Sequence, residues 1–541
     1  MQTVPTPSYH AQLTRWIQNH LSDPELTAQL DLYAEATQIL LSLDLEPARA
    51  LLQRCYAPCP RGGRPWDPVV LLRCLLLALI IEIPSINKLV PMLRGSRVLR
   101  ALAGLPDDVP EGASSAPGVG TLYDLLHRLH DGPLPRGVRG YVRPSEAEYR
   151  ASRTPRTPGN EPKSRPSKKG KGKRKTSTPT EEPSPEHRTS ERTLRELRAT
   201  RSSQTPDDLL GRMTDLLWVL AVRPSAERGL LGDLHSLVVT GDGSPLVTGA
   251  CGLGTRTCSC NPRKPCTCQR TYADPDARSG WDAYRKHYFY GHHFYEISVP
   301  WDSHDLPMML RLDPGNTTDF TAGLLTLERV CKTLRDQTDG WKIDRFVADC
   351  GHDAASTYAL CGDHEIRPVI PLNGAPAMHP SRPELKLSPR AIPLCQASVE
   401  MAAWGSGGPG RPAYACPVKA GKIERCPIAP ADQPAWLCQP ESKVGPVINL
   451  ATSEDPRLFP VIQRNSATFA ESYARRTGCE RSNAMKKGRF KLEAARHRRA
   501  SFWLIRLHLI AILQHALVWV ADQDPRATVR RLIAEAGRPP P

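Results

Sequence analysis

Along the first 130 residues apolar positions recur at helical spacing, and three stretches stand out: Val69 to Ile81, Ser85 to Leu93 and Gly120 to Leu129. Asp67-Pro68 supplies a cap and a first-turn residue for the first stretch, and Pro84 stops it. The pattern predicts an all-α N-terminal domain over 1–130, suited to DNA binding or to dimerisation, with no marked recognition helix. Between 131 and 205 apolar residues thin out and Pro, Ser, Thr, Arg and Lys take over, which reads as a disordered linker. From 206 the pattern becomes mixed. His235 to Asp242 (HSLVVTGD) predicts a strand ending on an aspartate, with Gly243 and Ser244 as turn residues. His292 to Val299 and Leu306 to Leu312 predict two more strands, and Asp319 to Leu334 a helix. Ile343 to Asp349 is a fourth strand, also ending on an aspartate, followed by a short helix at 354–360 and a strand at 367–372. The order β-β-β-α-β-α-β predicts an α/β domain, a mixed sheet with flanking helices, over 206–525. A Pro- and Gly-rich, partly β insertion interrupts it at about 373–460, helix returns with Ser466 to Lys487, and 526–541 is left as a tail.

Charge adds a partner to this outline. Among 541 residues, 72 Lys+Arg against 56 Asp+Glu leave +16, which favours a polyanion. Lys163 to Lys175 (KSRPSKKGKGKRK) holds eight basic residues and no acid, so it can neutralise phosphates without reading bases, or be a solvated charge run. The N-terminus MQTVPTPSYH shows no signal peptide, so a cytoplasmic protein is expected. Val69 to Ile83 is short for a membrane span and carries Arg73 and Glu82. Phe502 to Ala521 carries Arg506, His508, Gln514 and His515, which suits a buried amphipathic helix.

Candidate chemistry then follows from the two strand-end aspartates. In α/β sheets functional groups collect at carboxyl ends of strands, so Asp242 and Asp349 are candidates for one site. Two carboxylates brought together repel unless a cation lies between them, and oxygen ligands suit Mg²⁺ or Mn²⁺. A lone Asp beside Gly is most often a turn former, and Asp233 and Asp353 lie near enough to be mistaken for the pair. A third carboxylate stands in Tyr473-Ala-Arg-Arg476-Thr-Gly-Cys-Glu480, which runs on to Lys487. On a helix Tyr473, Arg476, Glu480 and Lys487 fall within roughly 60° of one another, joining a metal-binding acid to groups that hold phosphate and an unpaired base. Gly478 weakens that helix.

These residues carry a family resemblance. Tyr-x2-Arg-x3-Glu-x6-Lys, complete at Tyr473, Arg476, Glu480 and Lys487, resembles the signature of one branch of DDE-type transposases of bacterial insertion sequences. The Asp67 to Pro106 stretch, the segment RTYADPDARSGWDAYRKHYFYGHHFYEI and Arg489 to Trp519 resemble further parts of that family. The resemblance implies an RNase H-like catalytic core, with Asp242, Asp349 and Glu480 as catalytic and metal-binding carboxylates. Mg²⁺ or Mn²⁺ is then the cofactor for cleaving and joining DNA by two-metal chemistry. Tyr473, Arg476 and Lys487 are implied DNA-binding contacts, and Trp281 or Trp503 could stack a displaced base. Implied partners are transposon terminal repeats and target DNA, bound by a homodimer in the bacterial cytoplasm at the nucleoid, with no membrane. A DNA-binding regulator would explain the charge but not three carboxylates, and an RNase H-like nuclease would keep the metal site without strand joining.

Sixteen cysteines in a chain of this kind are expected as reduced thiols or metal ligands. Cys258, Cys260, Cys266 and Cys268 could hold a structural Zn²⁺, although their C-x-C pairs depart from the common CxxC spacing. Cys395, Cys416, Cys426 and Cys438 form a looser set in the insertion. His292 and His293 start a strand, where neighbouring side chains face opposite ways and do not share a ligand.

Overall fold

The computed structural model describes residues 8–56, 65–107, 114–132, 185–203, 206–260, 268, 270–432, 438–439 and 441–537. The basic run Lys163 to Lys175 and most of the expected linker lie outside these residues.

The N-terminal region is helical, as its periodicity requires. Asp67 accepts from Val69 N and Pro68 opens the Pro68–Ile80 helix, which buries residues on nearly every side. It lies among the Ala34–Ser42, Ile86–Gly95, Arg97–Ala103 and Val119–Asp131 helices. Their apolar core runs on without a break into the core of the sheet that follows. Two stretches differ from expectation. The end of the linker forms the Pro185–Thr200 helix, where Leu194 is buried and Arg198 and Arg201 pair with Asp363 at 2.7 and 3.0 Å. Its apolar positions are too few for periodicity to reveal it, because ion pairs share the docking. The tail is the Pro525–Ala536 helix, which packs Val529, Leu532 and Ala536 against the Tyr9–Asn19 and Ala34–Ser42 helices.

Six strands make the main sheet: β1 (Leu237–Val247), β2 (Arg278–Asp282), β3 (His287–Trp301), β4 (His304–Pro314), β5 (Ile343–Val347) and β6 (Arg367–Val369). β3 pairs antiparallel with β1, β2 and β4, while β1, β5 and β6 run parallel in that order. The Asp319–Gln337 helix crosses from β4 to β5, and Ala355–Asp363 from β5 to β6. This order matches the periodicity except for β2, whose Gly280 packs under Phe289 and against the Gly315 carbonyl. β1 does not stop at Asp242. Gly243 and Ser244 continue it, paired with Tyr295 and Phe294, because the long β3 offers partners as far as Val247.

The insertion is partly β, as expected. Met378–His379 pairs with Arg382–Lys386, and Ala402–Ser406, Pro412–Ala415 and Val447–Asn449 form a three-stranded sheet over a small core of its own. Among the described residues one helix, Ala500–Trp519, is long and apolar enough to cross a membrane, and 89% of its apolar window is buried inside the protein. It is buried all round rather than amphipathic. Its polar groups find partners there: Arg506 donates to Phe490 O and Lys491 O, His508 meets Leu504 O, and His515 lies between Ser225 and Pro307 O.

Candidate active site

Directly opposed residues of antiparallel strands share a face. Thr240 with Ser298, and Asp242 with Glu296, therefore form one polar row across β1 and β3. The Thr477–Gly488 helix lies on that row. Cys479 Sγ meets Thr240 Oγ1 at 2.8 Å, Ser482 Oγ donates to Glu296 Oε1 at 2.6 Å, and Asn483 Nδ2 donates to Asp242 Oδ2 at 3.3 Å. Lys486 and Glu296, both fully buried, form an ion pair. From the Ala500–Trp519 helix, Gln514 Nε2 donates to Ser482 Oγ at 3.1 Å. Residues 479, 482, 483 and 486 thus face the sheet at helical spacing, and Glu480 lies on the neighbouring stripe, half-exposed and one turn before Asn483.

One continuous helix from Ser466 to Lys487 does not form. Ala467–Ala474 ends, the chain turns through Arg475 and Arg476 by bonds such as Arg476 N to Tyr473 O, and Thr477–Gly488 starts anew. The break lets Gly478 press against Asp305 and Pro300, where a Cβ would stand 2.2 Å from Asp305 Oδ1. Tyr473 is therefore on a different helix from Glu480 and Lys487, stacked on Phe469 at 5.8 Å. Arg476, at the junction, pairs with Glu480 Oε1 at 2.5 Å, and its charge interacts with Asp242 and Asp349 as well. Lys487 reaches back to Pro245 O at 2.6 Å and to Glu493 at 3.6 Å.

Asp349 lies just past the end of β5 and caps a short turn, accepting from Gly351 N at 3.0 Å. His352 Nδ1 meets it at 2.8 Å, and His352 Nε2 meets Tyr295 Oη at 2.8 Å, so a buried histidine ties Asp349 to β3. Asp353 is instead a structural acid, bound to Tyr358, Asn373 N and Arg457. Asp233 caps a turn at His235 N. The sequence did not point to a third aspartate, Asp319, which pairs with His293 Nε2 at 2.8 Å at the start of its helix. Gly243 admits both groups: a Cβ there would collide with Asp319 Oδ1 and the His293 ring. An acid in a first helical turn is ordinarily a partner of the helix dipole, so no pattern singles it out. Asn483 was not singled out either, although its place three residues after Glu480 on the same helix is a signal that could have found it. His292 bonds Asp274 while His293 bonds Asp319, so the adjacent histidines do face opposite ways. Trp503 is fully buried and cannot stack a base, whereas Trp281 is half-exposed on β2.

The electrostatics of this cluster suit a cation. Burial, then the charges of Asp319 and Asp349, push the Asp242 carboxyl up to about 7. Burial also raises Asp349, but the hydrogen bond and charge of His352 outweigh it and hold that acid below its ordinary value. Among the described residues Asn483 Oδ1 is buried beside Asp242 with no hydrogen-bond partner. Oxygen donors with an unbalanced negative charge are the set that a hard divalent ion takes.

A pH dependence follows. Asp242 titrates at about 7 when folded and about 3.9 when unfolded, so the folded state binds its proton more tightly. Stability of the metal-free protein therefore falls as pH rises from about 4 through about 7, by a few kcal/mol at most from this group. In magnesium-free buffer Asp242→Asn should melt higher than wild type at pH 8 and about equal to it at pH 4.5. An equal offset at both pH values contradicts this assignment.

Cys258, Cys260 and Cys268 hold their sulfurs within 4.8 Å of one another, Cys260 and Cys268 at 3.5 Å. Cys266 lies outside the described residues.

Two family models match the chain. A family described as Transposase domain (DUF772) matches residues 24–115, and one described as Transposase DDE domain matches residues 261–514. The second match includes Asp349 and Glu480 and begins after Asp242, which therefore rests on geometry alone. No curated protein and no solved structure matches the chain.

Proposed function

Because the chain belongs to the DDE-type transposases of insertion sequences, we propose that Asp242, Asp349 and Glu480 are the carboxylates with which it cleaves and joins transposon-end DNA. The observation that carries this reading is the bond from Asn483 Nδ2 to Asp242, which sets the helix of Glu480 against β1, with Arg476 paired to Glu480 and its charge felt at Asp242 and Asp349. In the DNA-bound enzyme this arginine turns to phosphate and frees Glu480 for metal. Bound Mg²⁺ or Mn²⁺ supplies Lewis acidity, activating a water or a 3′-hydroxyl and stabilising the leaving oxygen. Ionised Asp242 would hold the ion, with its carboxylate oriented by the bond from Asn483 Nδ2. His352 fixes the orientation of Asp349, leaving its other oxygen for the metal. Tyr473, Arg476 and Lys487 line the approach as backbone contacts.

The sheet order β4-β3-β1-β5-β6, antiparallel through β1 and parallel beyond it, with β2 added beside β3, supports an RNase H-like core. The region 1–130 serves DNA binding or dimerisation, the basic linker adds contacts to phosphates, and a homodimer on DNA engages terminal repeats and target in the cytoplasm. Cys258, Cys260, Cys266 and Cys268 hold a structural zinc: Cys258→Ser with Cys260→Ser should lower the zinc content by one per chain, and an unchanged content contradicts it. The test of function is incubation with DNA flanking its own gene and Mg²⁺. Cleaved ends joined to a supplied target are expected. Cleavage without joining would make the protein a nuclease, and binding without cleavage a regulator.

A further inference from the structure

We propose that the insertion carries a second, tetrathiolate zinc site formed by Cys395, Cys416, Cys426 and Cys438. The four residues lie far apart in sequence yet line one cavity of about 20 Å³, together with apolar neighbours such as Val399 and Ile423. None of the four is in a disulfide, and Cys416 and Cys426 are buried. The thiols that bear electrostatically on Cys438 are the other three.

The backbone around them is built from tight turns that start at cysteine. Ser398 N bonds Cys395 O, Ala420 N bonds Cys416 O, and Ala429 N bonds Cys426 O. Such turns present a sulfur at their opening and hold it still. Gly445, at φ +67, packs against Cys416, where a Cβ would approach Cys416 Cβ to 2.8 Å. The insertion also needs a staple. Among the described residues its own core has eight buried side chains, few for some ninety residues of mostly irregular chain. Four thiolates around one largely apolar cavity are the donor set of a structural zinc, which contributes folding energy directly. On binding, each thiol releases its proton and the Cys438 sulfur exchanges its contact with Gln396 Oε1 for the metal.

The site is independent of the catalytic reading, so metal content rather than activity tests it. Full-length protein carrying Cys258→Ser and Cys260→Ser, which removes the other thiol cluster from the count, should retain one zinc per chain by elemental analysis. Adding Cys416→Ser and Cys426→Ser should remove it, whereas adding Cys438→His should keep it, since three cysteines and a histidine also form a tetrahedral site. Cobalt loaded in place of zinc should give thiolate-to-metal charge-transfer bands in the Cys438→His protein, which keeps the proposal testable if the double serine variant misfolds. No zinc in the first variant, zinc that survives Cys416→Ser and Cys426→Ser, or a mass deficit matching disulfides would overturn the proposal.

Discussion

If Asp242 is a metal ligand as proposed, Asp242→Asn is expected to stop strand cleavage, by at least about 10³-fold, while the protein stays folded and binds transposon-end DNA. Outer groups that merely orient metal ligands are worth about 10- to 100-fold, so removal of a ligand itself costs more. Asn keeps the shape and the bond from Asn483 Nδ2 but loses the charge that balances the cation. Because burial and neighbouring acids leave metal-free Asp242 partly protonated near neutrality, asparagine resembles its resting form, and no loss of fold is expected with the loss of activity. Glu480→Gln should act similarly, with Arg476 losing only a half-exposed salt bridge. The check is single-turnover cleavage of a labelled transposon end beside a DNA-binding assay. Residual cleavage within tenfold of wild type would remove Asp242 from the metal site.

Lys486→Met produces the second large effect, on stability. Lys486 and Glu296 are fully buried and pair under the helix that carries Glu480. Removing one partner leaves an uncompensated buried charge, at a cost of about 3–5 kcal/mol, or a Tm lower by roughly 10 °C. Replacing both residues, Lys486→Met with Glu296→Met, should restore most of the stability, since a buried pair differs little from an apolar pair of similar volume. Thermal unfolding of the single and double variants measures this. A double variant no more stable than the single one would show that the pair's surroundings, Ser482 and Gln514, carry the energy instead.

The sheet was legible because its strands are short apolar runs set between turn residues and its crossover helix carries a long apolar stripe, and the Pro68–Ile80 helix because its cap and first-turn proline are local signals. Other features depend on distant partners. β1 runs past Asp242 because β3 lies beside it, and glycines at 241 and 243 admit Tyr295, Phe346, Asp319 and His293 rather than turning the chain. The Glu480 helix breaks at Arg475–Arg476 so that Gly478 can meet Asp305, a contact invisible to helical spacing. Asp319 and His352 enter the site through pairing in space. The cysteines of the insertion form only a loose set in the sequence, and the fold gathers them around one cavity.

Most direct is the anomalous scattering of Mn²⁺ in crystals of the DNA-bound protein. Metal peaks about 2.1 Å from oxygens of Asp242 and Asp349, with Glu480 swung from Arg476 to complete the coordination, are the expected result. Peaks held by Asp319 and His293 without Glu480, or no peak near β1, would contradict it.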